Sequence, residues 1–277
     1  MKKQPKVKAL FEQLKEGIQA ITSSEDWKQI LLTQAKFHTY SFNNVMLILS
    51  QRPTASRVAS YGTWKALGRQ VVKGAQSIKI IAPHTVEVED PETGEKKKKL
   101  GYHQTSVFDI SDTKGEPLPS PSIEELTQNT KELKNFYELL KGISPVPVRE
   151  ETIKGGAKGY YRLVEDDIAI KKGMAAHQKC KTLVHEIAHA MLHRLEDKEA
   201  RAKSSNEREV EAEGTAFVVL TYFGFDTSQY SFPYVASWNG DDIERIEKAG
   251  GVIQKAAAQL ISNIEAAMAI EAKSKIA

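Results

Sequence analysis

Three prolines in five residues, Pro117, Pro119 and Pro121, constrain this chain more than any other feature. Proline locks φ, donates no backbone hydrogen bond and pushes the preceding residue out of the helical region, so neither a helix nor a central strand runs through Pro-x-Pro-x-Pro. The residues before it, Ser111-Asp112-Thr113-Lys114-Gly115-Glu116, are small or polar and show no apolar period. The sequence thus predicts a linker over 113–121 between a first domain, 1–112, and a second, 122–277. A length of 277 residues leaves material for two modest cores. With 40% hydrophobic and 27% charged residues, the chain is neither collagenous, a coiled coil nor wholly disordered. Its one cysteine, Cys180, excludes an intramolecular disulfide and a cysteine-based zinc site. It reads as a small buried hydrophobe. The start, Met1-Lys2-Lys3-Gln4-Pro5, is basic, but no apolar run of signal-peptide or membrane-spanning length follows, so the expected location is cytoplasmic, with no membrane partner.

The small net charge of +3 hides an imbalance: residues 1–120 carry 18 Lys and Arg against 12 Asp and Glu. From Trp27 to Pro83 there is no acidic residue at all, while Lys28, Lys36, Arg52, Arg57, Lys65, Arg69, Lys73 and Lys79 alternate with Phe37, Tyr40, Phe42, Tyr61 and Trp64. Positive charge without competing carboxylates attracts phosphates, and exposed rings stack on bases. The pattern suits nucleic acid, with a solvated basic face over an aromatic core as the plainer reading. Leu10, Leu14, Ile18 and Ile21 recur at helical spacing. Ser23 or Ser24 can cap a second helix, and Ser41 a third that must stop before Pro53. Thr63 to Gly68 reads as a short capped turn. Strand-like runs at 77–81, 85–89 and 101–110, the last two around the turn signal at 90–94, complete a first domain of three helices and a small antiparallel sheet. Lys96 to Lys99 lie on that hairpin as a solvent-exposed run.

In the second part, Ser122-Ile123-Glu124-Glu125 resembles a capping box. A helix is expected near 131–141, strands near 145–150, 160–164 and 168–170, and helices from 175 nearly to the end. The stretch 155–159 lacks the Lys-Ser/Thr ending of a phosphate loop and reads as a flexible turn. The whole is α+β: N-terminal helices with a small antiparallel sheet, linked to a mainly helical domain with a small sheet of its own.

One helix in that second part carries His185-Glu186-Ile187-Ala188-His189. Histidines four apart share a helical face and can reach one ion, for which zinc is the natural choice. Glu186, beside the first histidine, is placed to take a proton from a water activated by the metal and deliver it to a leaving amine. Leu183, Val184, Ile187, Ala188, Met191 and Leu192 make the rest of the helix apolar, as a buried active-site helix requires. His193 lies eight residues after His185, about 12 Å along the axis, too far to share its ion. It reads as a C-terminal residue facing carbonyls or solvent. The third ligand is sought on the next helix, among Glu207, Glu209, Glu211 and Glu213. There Gly214 and Ala216 would let the two helices approach. Periodicity leaves Glu211 and Glu213 tied, one as ligand and the other orienting a histidine. Among Tyr160, Tyr161, Tyr230 and Tyr234 there is a possible hydrogen-bond donor to the transition state, which the sequence does not single out.

The first domain resembles the N-terminal single-stranded-DNA-binding domain of ArdC-type antirestriction proteins. The resemblance rests on Tyr40-Ser41-Phe42-Asn43-Asn44, Gln51-Arg52-Pro53-Thr54, Tyr61-Gly62-Thr63-Trp64, Leu67-Gly68-Arg69-Gln70-Val71 and Lys73-Gly74. The second is similar to the ArdC and ImmA/IrrE-like zinc metallopeptidases, through Lys181-Thr182-Leu183-Val184-His185-Glu186-Ile187-Ala188-His189 and Glu211-Ala212-Glu213. Asp226-Thr227-Ser228, Tyr230-Ser231-Phe232, Tyr234 and Trp238 extend the likeness. The resemblance implies a mobile-element protein that binds single-stranded DNA and protects incoming DNA from restriction. By the family's Glu-Ala-Asn pattern it favours Glu211 as third ligand, with Glu213, where the pattern has Asn, as alternate. It offers Asn43, Asn44, Gln51, Arg52, Trp64, Arg69 and Lys73 as DNA contacts. Arg52, Arg69 and Lys73 are the stronger among these, because cations are rarely buried unpaired. Trp64 and Asn44 divide between contact and core. The function so implied is a single-stranded-DNA-binding protein with a zinc metallopeptidase acting on an unidentified protein. The alternatives are a non-proteolytic antirestriction factor using the metal fold as scaffold, and a peptidase whose first domain recognises a protein target.

Overall fold

The computed structural model describes residues 4–89, 96–118, 130–228, 230, 232 and 243–274. The turn expected at 90–94, the capping box at 122–125, residues 119–121 of the linker, Tyr234 and Trp238 lie outside these residues. The chain is α+β and divides into two compact units, Met1–Ile21 with Asn43–Pro119 and Thr22–Phe42 with Ser120–Ala277.

The first unit holds α1 (Gln4–Gln19), α3 (Phe42–Gln51, from Asn43), β1 (Val58–Ala59), α4 (Tyr61–Ala66), β2 (Arg69–Val71), β3 (Ile78–Glu89), β4 (Lys96–Asp109) and β5 (Thr113–Gly115). Strands order as β1-β4-β3 in one antiparallel sheet and β2-β5 in a second. The separate runs at 77–81 and 85–89 are one strand, β3, passing through Pro83. Among the described residues only β4 pairs with β3, so proline, with no N–H to give, is tolerated on its other edge. α3 covers that edge. The Asn44 amide donates to the Ile81 carbonyl and accepts from its N–H, both at 2.9 Å. Two turns on, Gln51 does the same for Lys79 at 2.8 Å. Ile81 and Lys79 alternate with the residues bonded to β4, as does Pro83. Two side-chain amides and one proline thus dispose of the outward backbone groups of β3 where a further strand would otherwise pair.

Part of the expected linker is a strand: Thr113–Gly115 pairs with Arg69–Val71. Its proline-free half can form a ladder, and Gly115, at φ +142°, lets the two backbones approach where a side chain would strike Gly68 and Arg69.

The second unit takes α2 (Ser24–Lys36), which the sequence grouped with the N-terminal helices. Ser23 and Asp26 form its capping box. The helix buries Trp27, Ile30 and Leu31, and its end is tied to the C-terminal helix: Gln34 donates to the Gly250 carbonyl at 2.9 Å and Gln254 donates to that of Phe37 at 3.1 Å. Helical periodicity predicts the helix but not which core its apolar face joins. The rest of the unit is α5 (Thr130–Ile143), β6 (Val148–Glu151), β7 (Gly159–Arg162), β8 (Asp167–Lys171), α6 (Ala176–Leu192), α7 (Lys198–Ala202), α8 (Ser205–Tyr222) and α9 (Ile243–Ser274). β8 is central, parallel to β6 and antiparallel to β7, and is buried through Ile168, Ala169 and Ile170. α6 and α8 pack together, with α9 against α8. Gly214 of α8 faces α9 rather than α6: a side chain there would run into Ile253. Cys180 is fully buried and donates to the Leu133 carbonyl, its thiol pKa pushed up to about 12 by burial. No helix among the described residues is long and apolar enough to cross a membrane.

Candidate metal centre and nucleic-acid interface

α6 ends in a run of three histidines spaced four apart, 185, 189 and 193, along one side of the helix. Leu183, Val184, Ile187 and Ala188 anchor its opposite side in the core. α8, started by a Ser204–Glu207 capping box, brings Glu209, Glu211 and Glu213 against this row. His185 Nε2 and His189 Nε2 are 3.1 Å apart. A carboxylate reaches both, but it is Glu209: Oε2 lies 3.6 Å from His185 Nε2 and Oε1 3.4 Å from His189 Nε2. One donor atom from each of His185, His189 and Glu209 falls within 4.8 Å of the other two.

Glu211, favoured by the resemblance, lies elsewhere. It is 4% exposed and its Oε2 is 3.0 Å from His193 Nε2 and 2.7 Å from Lys203 Nζ. The physical reason is helical geometry. Residues 209 and 213 are four apart and share a face, whereas 211 is turned about 200° from either. Glu213 meets His185 from behind, 2.9 Å from Nδ1, and leaves Nε2 to the cluster. His193, expected to face carbonyls or solvent, is 3% exposed and bonded at both nitrogens, to Glu211 and to His189 Nδ1 at 3.0 Å. Glu209, one of four glutamates the sequence offers, is thus the one that lies against both histidines, while His193 and Lys203, which the sequence does not point to, gather around Glu211. Spacing alone does not single out Glu209, since Glu207 and Glu211 are four apart just as Glu209 and Glu213 are.

Glu186 is buried beside His185, and burial raises its pKa to about 7, against the pull of the His185 charge. A carboxyl so tuned both accepts and releases a proton near neutrality. It is also in reach of the Tyr161 backbone N–H. Burial draws the His185 pKa down, but hydrogen bonds to Glu209 and Glu213 outweigh it and raise the value overall. The same bonds from His185 and His189 hold the Glu209 carboxyl far below the usual range, and burial keeps His189 low.

Two clefts meet at His185 and Glu186. One, of about 350 Å³, runs past Tyr160, Tyr161, His189, Arg208 and Glu209. The other, of about 450 Å³, runs past Lys158, Gln178, Lys181, Glu213 and Tyr230. β7 forms the wall common to both. Gly159 sets its closeness to α6, since a Cβ there would lie 2.6 Å from Thr182 and 3.0 Å from the Ala169 carbonyl. This glycine, read from sequence as part of a flexible turn, is a close-approach residue. Of the tyrosines, Tyr160 donates to Glu151 and Tyr161 to Asp166, whereas Tyr230 is held under Lys181 with its ring against Phe217. Two imidazole nitrogens and a carboxylate oxygen converge beside an open cleft, a set of nitrogen and oxygen donors of the kind that holds a divalent metal. The residues fit a divalent cation.

The DNA candidates fare differently. The Asn44 and Gln51 amides are occupied by β3. Trp64 is buried, its indole N–H donating to the Phe108 carbonyl at 2.9 Å. Arg52 pairs with Asp112 through both guanidinium nitrogens. Arg69 donates to Thr113, Gly115 and Glu116 and fastens β5. These five residues hold the fold. Asn43 is half-buried on α3. Lys73 is exposed, with no hydrogen bond or ion pair to the described residues. Nearby in sequence, Tyr61, 53% exposed, and Lys65 are four apart on α4 and share a face.

Residues 5–108 match the N-terminal domain of anti-restriction factor ArdC, and residues 144–259 match the IrrE N-terminal-like domain, a peptidase family. The uncharacterized protein pXO2-81 of Bacillus anthracis is 32% identical over 287 residues, taking in 88% of this chain and 48% of that protein, so the chain spans about half the length of this relative. Two crystal structures of the antirestriction ArdC protein from the R388 plasmid share the fold over 80% of this chain and 84% of theirs. The metal-free form has a TM-score of 0.53 at 24% identity, and the Mn(II)-bound form 0.51 at 22%.

Proposed function

In a chain that joins a domain of the ArdC N-terminal family to one of the IrrE-like peptidase family, we propose a zinc-dependent peptide hydrolase whose first unit binds single-stranded DNA. The observation that carries the enzymatic half is the convergence of His185, His189 and Glu209 on one point beside a buried Glu186. When bound, the cation supplies Lewis acidity to a water molecule and to the carbonyl under attack. Glu186 takes the proton from that water and returns it to the departing amine. Glu213 fixes the ring of His185. β7, an edge strand among the described residues, offers its backbone to an extended peptide, which would add to the sheet as a strand and be held across the cleft. This favours peptide over compact substrates. The antirestriction role belongs to the R388 relative by name and is proposed for this chain with it.

DNA binding is supported by the acid-free window and by Tyr61, Lys65 and Lys73, which present a ring and two cations to solvent. Charge and stacking without base readout predict affinity that falls with salt and little sequence preference.

The test is Glu186→Gln in zinc-loaded protein against a peptide library. Metal content stays at the wild-type level and hydrolysis falls about 10²- to 10⁴-fold. Undiminished hydrolysis rejects the role of Glu186. Antirestriction activity that survives this substitution assigns that activity to DNA binding rather than proteolysis.

A further inference from the structure

Behind His189 a row of buried and half-buried groups leads away from the cluster: His189 Nδ1 to His193 Nδ1 at 3.0 Å, His193 Nε2 to Glu211 Oε2 at 3.0 Å, and Glu211 Oε2 to Lys203 Nζ at 2.7 Å. The side chains of His193 and Glu211 are 2% and 5% exposed. Glu211 and Lys203 line neither cleft, whereas His193 borders the one of about 350 Å³, and no step proposed above uses Glu211 or Lys203. A carboxylate buried beside an ammonium group has only lone pairs to offer, so the hydrogen between it and His193 must sit on His193 Nε2. A neutral His193 then has a bare Nδ1, which can only accept, and the hydrogen between the two imidazoles must sit on His189 Nδ1. That leaves the lone pair of His189 on Nε2, the atom that faces His185 and Glu209.

We propose that His193, Glu211 and Lys203 form a positioning relay that fixes His189 in the Nδ1–H tautomer with Nε2 aimed at the metal. The inference rests on the metal-centre reading and adds residues to it. It accounts for Glu211, a carboxylate two residues from a ligand that does not itself ligate, and for the half-buried Lys203 just before α8. It also accounts for a third histidine at helical spacing beyond the pair that bind. His185 is served separately, by Glu213 at its own Nδ1. Each imidazole of the pair thus has its rear nitrogen engaged, one by a carboxylate directly and one through a second imidazole. Partners of this kind hold the ring orientation and raise ligand basicity, and their loss lowers metal affinity about 10- to 100-fold.

The test begins with long-range ¹H–¹⁵N spectra of the metal-free full chain, which distinguish histidine tautomers ring by ring. The relay requires Nδ1–H on His189 and Nε2–H on His193. Zinc affinity is then measured by chelator competition. His193→Phe removes the acceptor and should weaken zinc binding 10- to 100-fold, with His189 losing its single tautomer. His193→Asn, whose Oδ1 occupies the place of Nδ1, should recover most of both. Glu211→Gln, nearly isosteric, serves where His193→Phe fails to fold, and should loosen the tautomer preference and weaken zinc binding. His189 carrying its hydrogen on Nε2, with His193 donating from Nδ1, overturns the relay even if zinc binds tightly. So does zinc affinity unmoved in both His193→Phe and Glu211→Gln. Correct tautomers in a wild-type chain that takes no zinc would instead overturn the metal centre, and with it the purpose of the relay, while leaving the wiring in place.

Discussion

Spacing along α8 decides what each glutamate does. Glu209 and Glu213 share the face that meets His185 and His189, one at the cluster and one behind it, while Glu211 is turned away to His193. His185, Glu186 and His189 were legible in sequence because their chemistry lies within one turn of one helix. The choice among glutamates was not, because it depends on how α8 is rotated against a different helix. The first unit repeats the lesson: Arg52 and Arg69 are cations with internal partners, and sequence does not show Asp112 or the carbonyls of 115 and 116 waiting for them. Lys73→Ala should lower the salt dependence of single-strand binding by about 0.7 in the log–log slope. Tyr61→Ala costs about 1–3 kcal/mol of binding if the ring stacks on a base. Fluorescence anisotropy over a salt series reads both, and unchanged curves would move the DNA surface elsewhere.

Elements explain residues that family likeness alone assigns to DNA. Asn44 and Gln51, seven apart on α3, present amides to alternate residues of β3 and close its outer edge together with Pro83. Asn44→Ala leaves the N–H and carbonyl of Ile81 without that partner, a cost of about 1–3 kcal/mol to the first unit. Denaturant unfolding should show that loss while DNA affinity of the folded variant stays at the wild-type level. A variant of unchanged stability that no longer binds DNA would return Asn44 to the interface. Helices, strands and the antiparallel hairpin were largely readable from period and punctuation. The strand at 113–115 was hidden because its partner, β2, is three residues long and its pairing is non-local. The assignment of α2 to the second unit was hidden for a related reason, since an apolar stripe names no partner.

Across the whole molecule, proline punctuation announced two folded parts, and the structure has two units, although the chain passes from one to the other at 21/22 and 42/43 as well as after 119. The acid-free window is therefore divided, with Lys28 and Lys36 on α2 in the second unit and Lys65 and Lys73 in the first. The residues proposed for DNA binding and those proposed for hydrolysis belong to different units, so the Glu186→Gln chain should bind single strands with wild-type affinity.

The centre itself is tested most directly by elemental analysis of the zinc-loaded, desalted full chain and two variants. Wild type and Glu211→Gln should each carry about one equivalent of zinc, and Glu209→Ala should carry almost none, because the carboxylate that closes the site on His185 and His189 is Glu209. A full equivalent in Glu209→Ala beside an empty Glu211→Gln would contradict the account, as would a wild-type chain without metal.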